Sequence, residues 1–406
     1  SADSGPLIGG SVSDMRELFG IPAYALVWVV GLFQGIGFFL LVNVPGRFLE
    51  LGLTEGAIGL VYSLAAVAGL AIRPVLGRTL DVVHRRTVIR AAGFVNVIAV
   101  LGLAITASAG PLLYGWFVLT RASQVVIFTA TLVYAADTLP LHLRTRGLAI
   151  FGLSGLIPIG VSNLMGDRII AAAGYSVAIG TSAVLALIAA VLVWWLPALP
   201  VMGERARRSF WAALTQPDLR VVWFITLVFA MGTESLFAFM RTFVETHPDV
   251  GTLGVFFGVY GGLAVITRLA NGKRFDSVAP RRTAALGVAG LGLAMLLLSM
   301  ATGQVGFLTA AALGGAAHGV VFPVLSAMVV GRARTSERGS AVATFTSIFD
   351  VAILGMVPVV GFLIDVSGYT TAFASVGVAM IVGSMVYQAW DSRRNVGVSI
   401  AQTVGD

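Results

Sequence analysis

Arg73-Pro74-Val75-Leu76-Gly77-Arg78-Thr79-Leu80-Asp81-Val82-Val83-His84-Arg85-Arg86 is a charged turn between two apolar runs. Its skeleton, Arg73-x3-Gly77-x3-Asp81 followed by Arg85-Arg86, returns roughly 195 residues later as Arg268-x3-Gly272-x3-Asp276 followed by Arg281-Arg282. A second pair agrees. Arg146-Gly147 leading to Gly174-Tyr175 and Ala178 recurs as Arg338-Gly339 leading to Gly368-Tyr369 and Ala372. The chain reads as one unit duplicated in parallel.

The flanking runs say what the unit is. Apolar stretches occur at Ile21–Val44, Gly56–Ile72, Ala91–Ala109, Leu112–Ala136, Gly147–Met165 and Gly174–Leu196. They resume at Val221–Met240, Val250–Thr267, Thr283–Ala301, Val305–Val330, Gly339–Ile364 and Tyr369–Trp390. Each is close to the ~20 residues that carry a helix across a bilayer, where an open sheet cannot satisfy its backbone. Of the 406 residues 57% are hydrophobic and only 11% charged, against about 25% charged in soluble domains. A soluble surface cannot be built with so little charge. The expected fold is an all-α membrane protein, twelve transmembrane helices in two six-helix pseudo-symmetric bundles around a central cavity. The expected divisions are a tail 1–20, a first bundle 21–196, a linker 197–219, a second bundle 220–390 and a tail 391–406. The first twenty residues hold Asp14, Arg16 and Glu17 but no apolar core, so they do not read as a signal peptide.

The net charge of +7 suggests nucleic acid until the basic residues are placed. All but Arg47, Arg121, Arg168 and Arg241 of the 26 fall in clusters on one side of the alternating runs, as the positive-inside rule requires of cytoplasmic loops. Both termini are therefore expected in the cytoplasm, with no nucleic-acid partner. Zero cysteines exclude thiolate metal sites and thiol catalysis. No phosphate-binding loop occurs, since Gly272-Lys273 runs into Arg274, and no cofactor, metal site or nucleophile–base pair is expected. Work must then come from a gradient, worth about 2.3 kcal/mol per charge per 100 mV.

The opening stretch resembles the signature of the major facilitator superfamily between its second and third helices. Gly77, Asp81, Arg85 and Arg86 match, and His84 replaces a glycine. Arg121-Ala122-Ser123-Gln124 resembles the arginine motif of the fourth helix, with Val125 for glycine. Ser162-Asn163 and Gly166 stand where proton-driven exporters carry Gly-Pro-x-x-Gly, while Pro358-Val359-Val360-Gly361 lies in the eleventh run. The chain looks most like the bacterial efflux-permease branch. That likeness implies a monomeric inner-membrane transporter of a small molecule, driven by protons. It also implies a latch of the outward-facing state formed by Gly77, Asp81, Arg85, Arg86, Arg144 and Arg146, with Asp276 as the weaker echo.

The few ionisable groups inside the runs carry the functional expectations. Glu234 lies about 14 residues into the seventh run, roughly 20 Å along its axis. Asp350 is near the middle of the eleventh, on one face with Thr346 and Ser347. A carboxylate at such depth costs on the order of 2.5–3.5 kcal/mol unless paired, hydrated or protonated, so both are proton-coupling candidates, with interhelical pairing the alternative. Arg121 cannot lose its charge and must meet a carboxylate, a carbonyl or an anionic ligand. It heads a stripe with Gln124, Phe128 and Thr131 and is read as lining the cavity with Gln34, His318 and Thr346. Arg241 and Glu245 continue the Glu234 stripe toward the external mouth, as a salt-bridged gate. The leading expectation is proton-coupled export of a small organic or amphiphilic solute by alternating access. The alternatives are import of an anionic metabolite gripped by Arg121 and a non-transporting or lipid-handling assembly factor.

Overall fold

The computed structural model describes residues 12–199, 213–271, 280–334 and 337–403, and among them there is no strand. The first half comprises α1 (Val12–Phe19), α2 (Pro22–Leu40), α3 (Val44–Glu50), α4 (Glu55–Val82), α5 (Arg85–Ile105), α6 (Pro111–Thr138), α7 (Leu141–Phe151) and α8 (Leu153–Leu192). The second comprises α9 (Pro217–Thr246), α10 (Leu253–Asn271), α11 (Pro280–Ser299), α12 (Gln304–Arg332) and α13 (Arg338–Thr403). Prolines in the first turns of α2, α6 and α9 leave no helical hydrogen bond broken, because those N–H groups have no partner inside the helix.

Among the described residues ten helical stretches are long and apolar enough to cross a bilayer. Two of them run for 54 and 52 residues, far beyond a ~30 Å hydrocarbon core at 1.5 Å per residue. Each contains one break, at Gly174 (φ 80°) in α8 and Gly368 (φ 77°) in α13. Only glycine adopts that left-handed geometry without a Cβ penalty. The repeated Gly-Tyr pairs of the sequence are thus the two reversal points.

Within the first half α2, α5 and α8 pack together and α6 covers α4 and α5; within the second α13 packs on α9 and α11, and α12 on α10 and α11. The main contacts between halves are two repeat-related pairs, α4 with α13 and α8 with α10. Large apolar side chains such as Ile105 (80% exposed) and Val305 (82%) face outward. Asn43, Thr120, Ser162 and Asn163 are fully buried. That inverted distribution suits a protein solvated by hydrocarbon, and some of the buried polar groups bond one another: Asn43 Nδ2 reaches Asn163 Oδ1 at 3.4 Å, and the Ser182 hydroxyl donates to the Gly37 carbonyl at 2.7 Å.

Three boundaries differ from the sequence reading. The stretch 166–173, left between the fifth and sixth apolar runs, is helical, and its Asp167 finds partners in the other half. The N-terminal tail contains α1, whose Leu18 is fully buried and whose Phe19 meets Trp28 edge-on at 5.5 Å. Asp391, expected to begin the C-terminal tail, is 3% exposed, bound by Arg332 at 3.0 Å and near Arg281 at 3.6 Å.

Candidate functional site

Helix N-termini expose N–H groups that need acceptors from elsewhere. At the end of the bundle where α4 and α10 begin, the Thr54 and Thr252 hydroxyls accept from Ala57 (3.3 Å) and Val255 (3.4 Å), and further acceptors come from the opposite half. Asp365 of α13 accepts from the backbone of Glu55 (2.9 Å) and Gly56 (2.8 Å). Asp167 of α8 accepts from the backbone of Gly254 at 2.6 Å. The same Asp167 binds Arg241 of α9 at 2.9 Å, while Arg241 Nε donates to the Tyr175 hydroxyl (2.6 Å) and to Glu245 (3.0 Å). The Tyr369 hydroxyl donates to Glu55. The polar stripe of Arg241 and Glu245 expected at the external mouth therefore extends across to Asp167 and Tyr175. The sequence showed the Tyr175/Tyr369 repeat without assigning it a role, and nothing in it marked the acceptors Asp167 and Asp365.

Deeper between the halves, Arg121 of α6 lies over the Phe38 ring (5.0 Å to the centroid) and the Tyr62 ring (5.8 Å). Such cation–π contacts hold a guanidinium without neutralising it. Glu234 of α9 belongs to the other half. Among the described residues neither Arg121 nor Glu234 has a hydrogen bond or ion pair, although Arg121 is the charge acting most strongly on Glu234, followed by Asp350. Tyr62 and Tyr260 feel Glu234 as well. Gln34 Nε2 and Gln124 Oε1 are buried with no hydrogen-bond partner among the described residues. Two opposite charges and two amide groups thus stand uncommitted, each charge on a different half.

Asp350 is not alone. Arg73 of α4 donates to its Oδ2 at 2.7 Å and to the Thr346 hydroxyl (3.0 Å) and carbonyl (3.2 Å). The sequence placed Arg73 among the topology-setting arginines; the α4–α13 packing turns it inward. His318 Nδ1 lies 2.7 Å from the Tyr260 hydroxyl, its ring edge-on to Phe229 at 5.3 Å. Thr131 is buried and bonded to the Ile127 carbonyl of its own helix at 2.6 Å, and Phe128 is more than half exposed. Neither is drawn to the charges. Among the described residues no three His, Asp or Glu side chains converge as metal ligands.

A family model described as Major Facilitator Superfamily matches residues 25–272 and 222–402. The chain belongs to the major facilitator superfamily. Solved transporters share the fold. The nucleoside transporter NupG is 14% identical, covers 90% of this chain and 98% of its own, and has a TM-score of 0.74. The human organic anion transporter MFSD10 (TETRAN) is 16% identical over 93% and 100%, with a TM-score of 0.69. The POT family transporter PepTSo is 12% identical over 92% and 98%, with a TM-score of 0.74. This superfamily member is thus a multi-pass membrane transport protein, not an enzyme.

The superfamily signature lies at the opposite end from the Asp365 and Asp167 caps. There Arg85 meets Asp137 at 3.2 Å, Arg86 donates to the Leu196 carbonyl at 3.2 Å and Arg144 to the Ala136 carbonyl at 3.1 Å, all within the first half. Gly77 is exposed, with open space beside it, and Arg146 stands on α7. The Asp81 side chain and all of Asp276 lie outside the described residues.

Proposed function

We propose that this chain is a proton-coupled secondary transporter that exports a small organic or amphiphilic solute by alternating access. Counting each glycine-broken helix as two crossings makes twelve, and the basic clusters put both termini in the cytoplasm. The caps on α4 and α10 then form an external gate, and the capped arrangement is the one closed to the outside. A single copy contains both halves and the cleft between them, so a monomer suffices.

One observation carries this reading: Glu234 and Arg121 are uncommitted charges on opposite halves, within electrical reach of each other. An intramembrane carboxyl with no fixed partner can exchange a proton with solute or water, and a fixed positive charge opposite it couples that exchange to occupancy. Asp350 is held by Arg73 and acts as a tie between halves. A second reading, import of an anionic metabolite, is favoured by the uncommitted charge of Arg121 alone.

The test uses proteoliposomes with an imposed pH gradient and a solute selected by thermal-shift screening of the purified protein. Glu234→Gln is expected to abolish gradient-driven accumulation while leaving solute counterflow. If Glu234→Gln and Asp350→Asn both leave accumulation intact, the proton assignment fails. Accumulation driven inward by an inside-positive potential, lost in Arg121→Gln, supports the import reading.

A further inference from the structure

The two crossings between halves are related by the repeat and can be compared contact by contact. In α4 a methyl group on Gly59 would fall 2.6 Å from the Pro358 Cα; in α10 one on Gly254 would fall 2.7 Å from the Leu164 Cα. Both counterparts stand roughly 195 residues apart, like the signature motif. Further along the same helices, Arg73 lies against Thr346, and its counterpart Arg268 lies against Gly152, where a Cβ would sit 2.9 Å from Nη2. The register is shared at both points.

Past these arginines the two crossings diverge. Four residues beyond Thr346 stands Asp350, the carboxylate that neutralises Arg73. Four residues beyond Gly152 stands Leu156, apolar and 6% exposed. Arg268 is left with a permanent charge, half-buried between the halves. Among the described residues it has no hydrogen bond or ion pair. The group it acts on is His318, another potential cation, whose Nδ1 is already engaged by Tyr260. The opposite crossing shows what such a guanidinium is matched to, and Gly152, lacking a side chain, lets the guanidinium approach the α8 backbone. A guanidinium presents parallel N–H groups that suit a carboxylate or a small anion.

We propose that Arg268 binds an anionic ligand group in the place that the Asp350 carboxylate takes in the other crossing. The group is small and monovalent, the carboxylate of an organic solute or an inorganic anion such as chloride. The site is separate from Glu234 and does not depend on that residue's role in coupling.

Calorimetric titration of the purified full chain with sodium chloride, and separately with sodium benzoate at constant ionic strength, tests it without transport. Saturable binding of at least one probe is expected. Chloride alone identifies an inorganic ion and benzoate alone a solute carboxylate. Arg268→Gln should weaken the binding at least tenfold. Leu156→Asp, which supplies the absent carboxylate from within, should do the same, while Leu156→Asn should not. If Leu156→Asp fails to fold, Arg268→Gln against Arg268→Lys gives the same discrimination, since lysine keeps the charge. Absence of saturable binding by either probe, or binding unchanged in Arg268→Gln, overturns the proposal. Loss of proton coupling in Glu234→Gln leaves these titrations unaffected, so the two readings fail separately.

Discussion

Removing the carboxylate of Asp350 leaves Arg73 charged between the halves with only Thr346 to bind. The pair is nearly enclosed, its side chains 12% and 11% exposed. Breaking such a pair costs about 3 kcal/mol, whereas replacing both partners by apolar groups is close to neutral. Asp350→Asn should therefore lower stability by about that amount in mixed-micelle unfolding, and Arg73→Met with Asp350→Met should recover most of it. Equal loss in the single and double variants would show that the pair is not the source. Glu234, Asp350 and Arg121 were legible from sequence as costly groups, because charge inside an apolar run is conspicuous. Their partners were not. Arg73 sits in a basic cluster and reads as a topology signal until α4 is laid against α13. Asp167 and Asp365 sit at the ends of runs, where a carboxylate looks merely solvated.

At the scale of elements, α4 and α10 begin at the interface and are capped by the other half. Asp365→Ala removes the acceptor for two α4 N–H groups. N-cap losses run about 0.5–2 kcal/mol, and 1 kcal/mol changes a population about fivefold. Thiol labelling of Leu53→Cys, a buried position (7% exposed) just before α4, should accelerate about fivefold in the Asp365→Ala background. An unchanged rate would mean that the cap does not hold this end closed. The helices themselves were readable from apolar length, and the reversals were marked by the repeated Gly-Tyr pairs. The boundaries near 166–173 and 391 were not, since buried partners on other helices keep polar segments helical.

At the scale of the molecule, the duplication was visible in the spacing of a few glycines and charges, and it maps onto the paired crossings α4–α13 and α8–α10. Which end is closed was not readable, because one sequence must serve every state of the cycle and only contacts distinguish them. The central claim is that the halves rock about Arg121 and Glu234, with the α4/α10 end closing and opening. A chain without native cysteine allows a direct measurement: spin labels on Thr54→Cys and Ser367→Cys, one on each half at that end, with their separation distribution recorded by pulsed electron paramagnetic resonance. A short-distance population matching the capped arrangement is expected in the resting protein, with a second, longer population growing on adding solute or in Glu234→Gln. One invariant distance under every condition would contradict alternating access through this cleft.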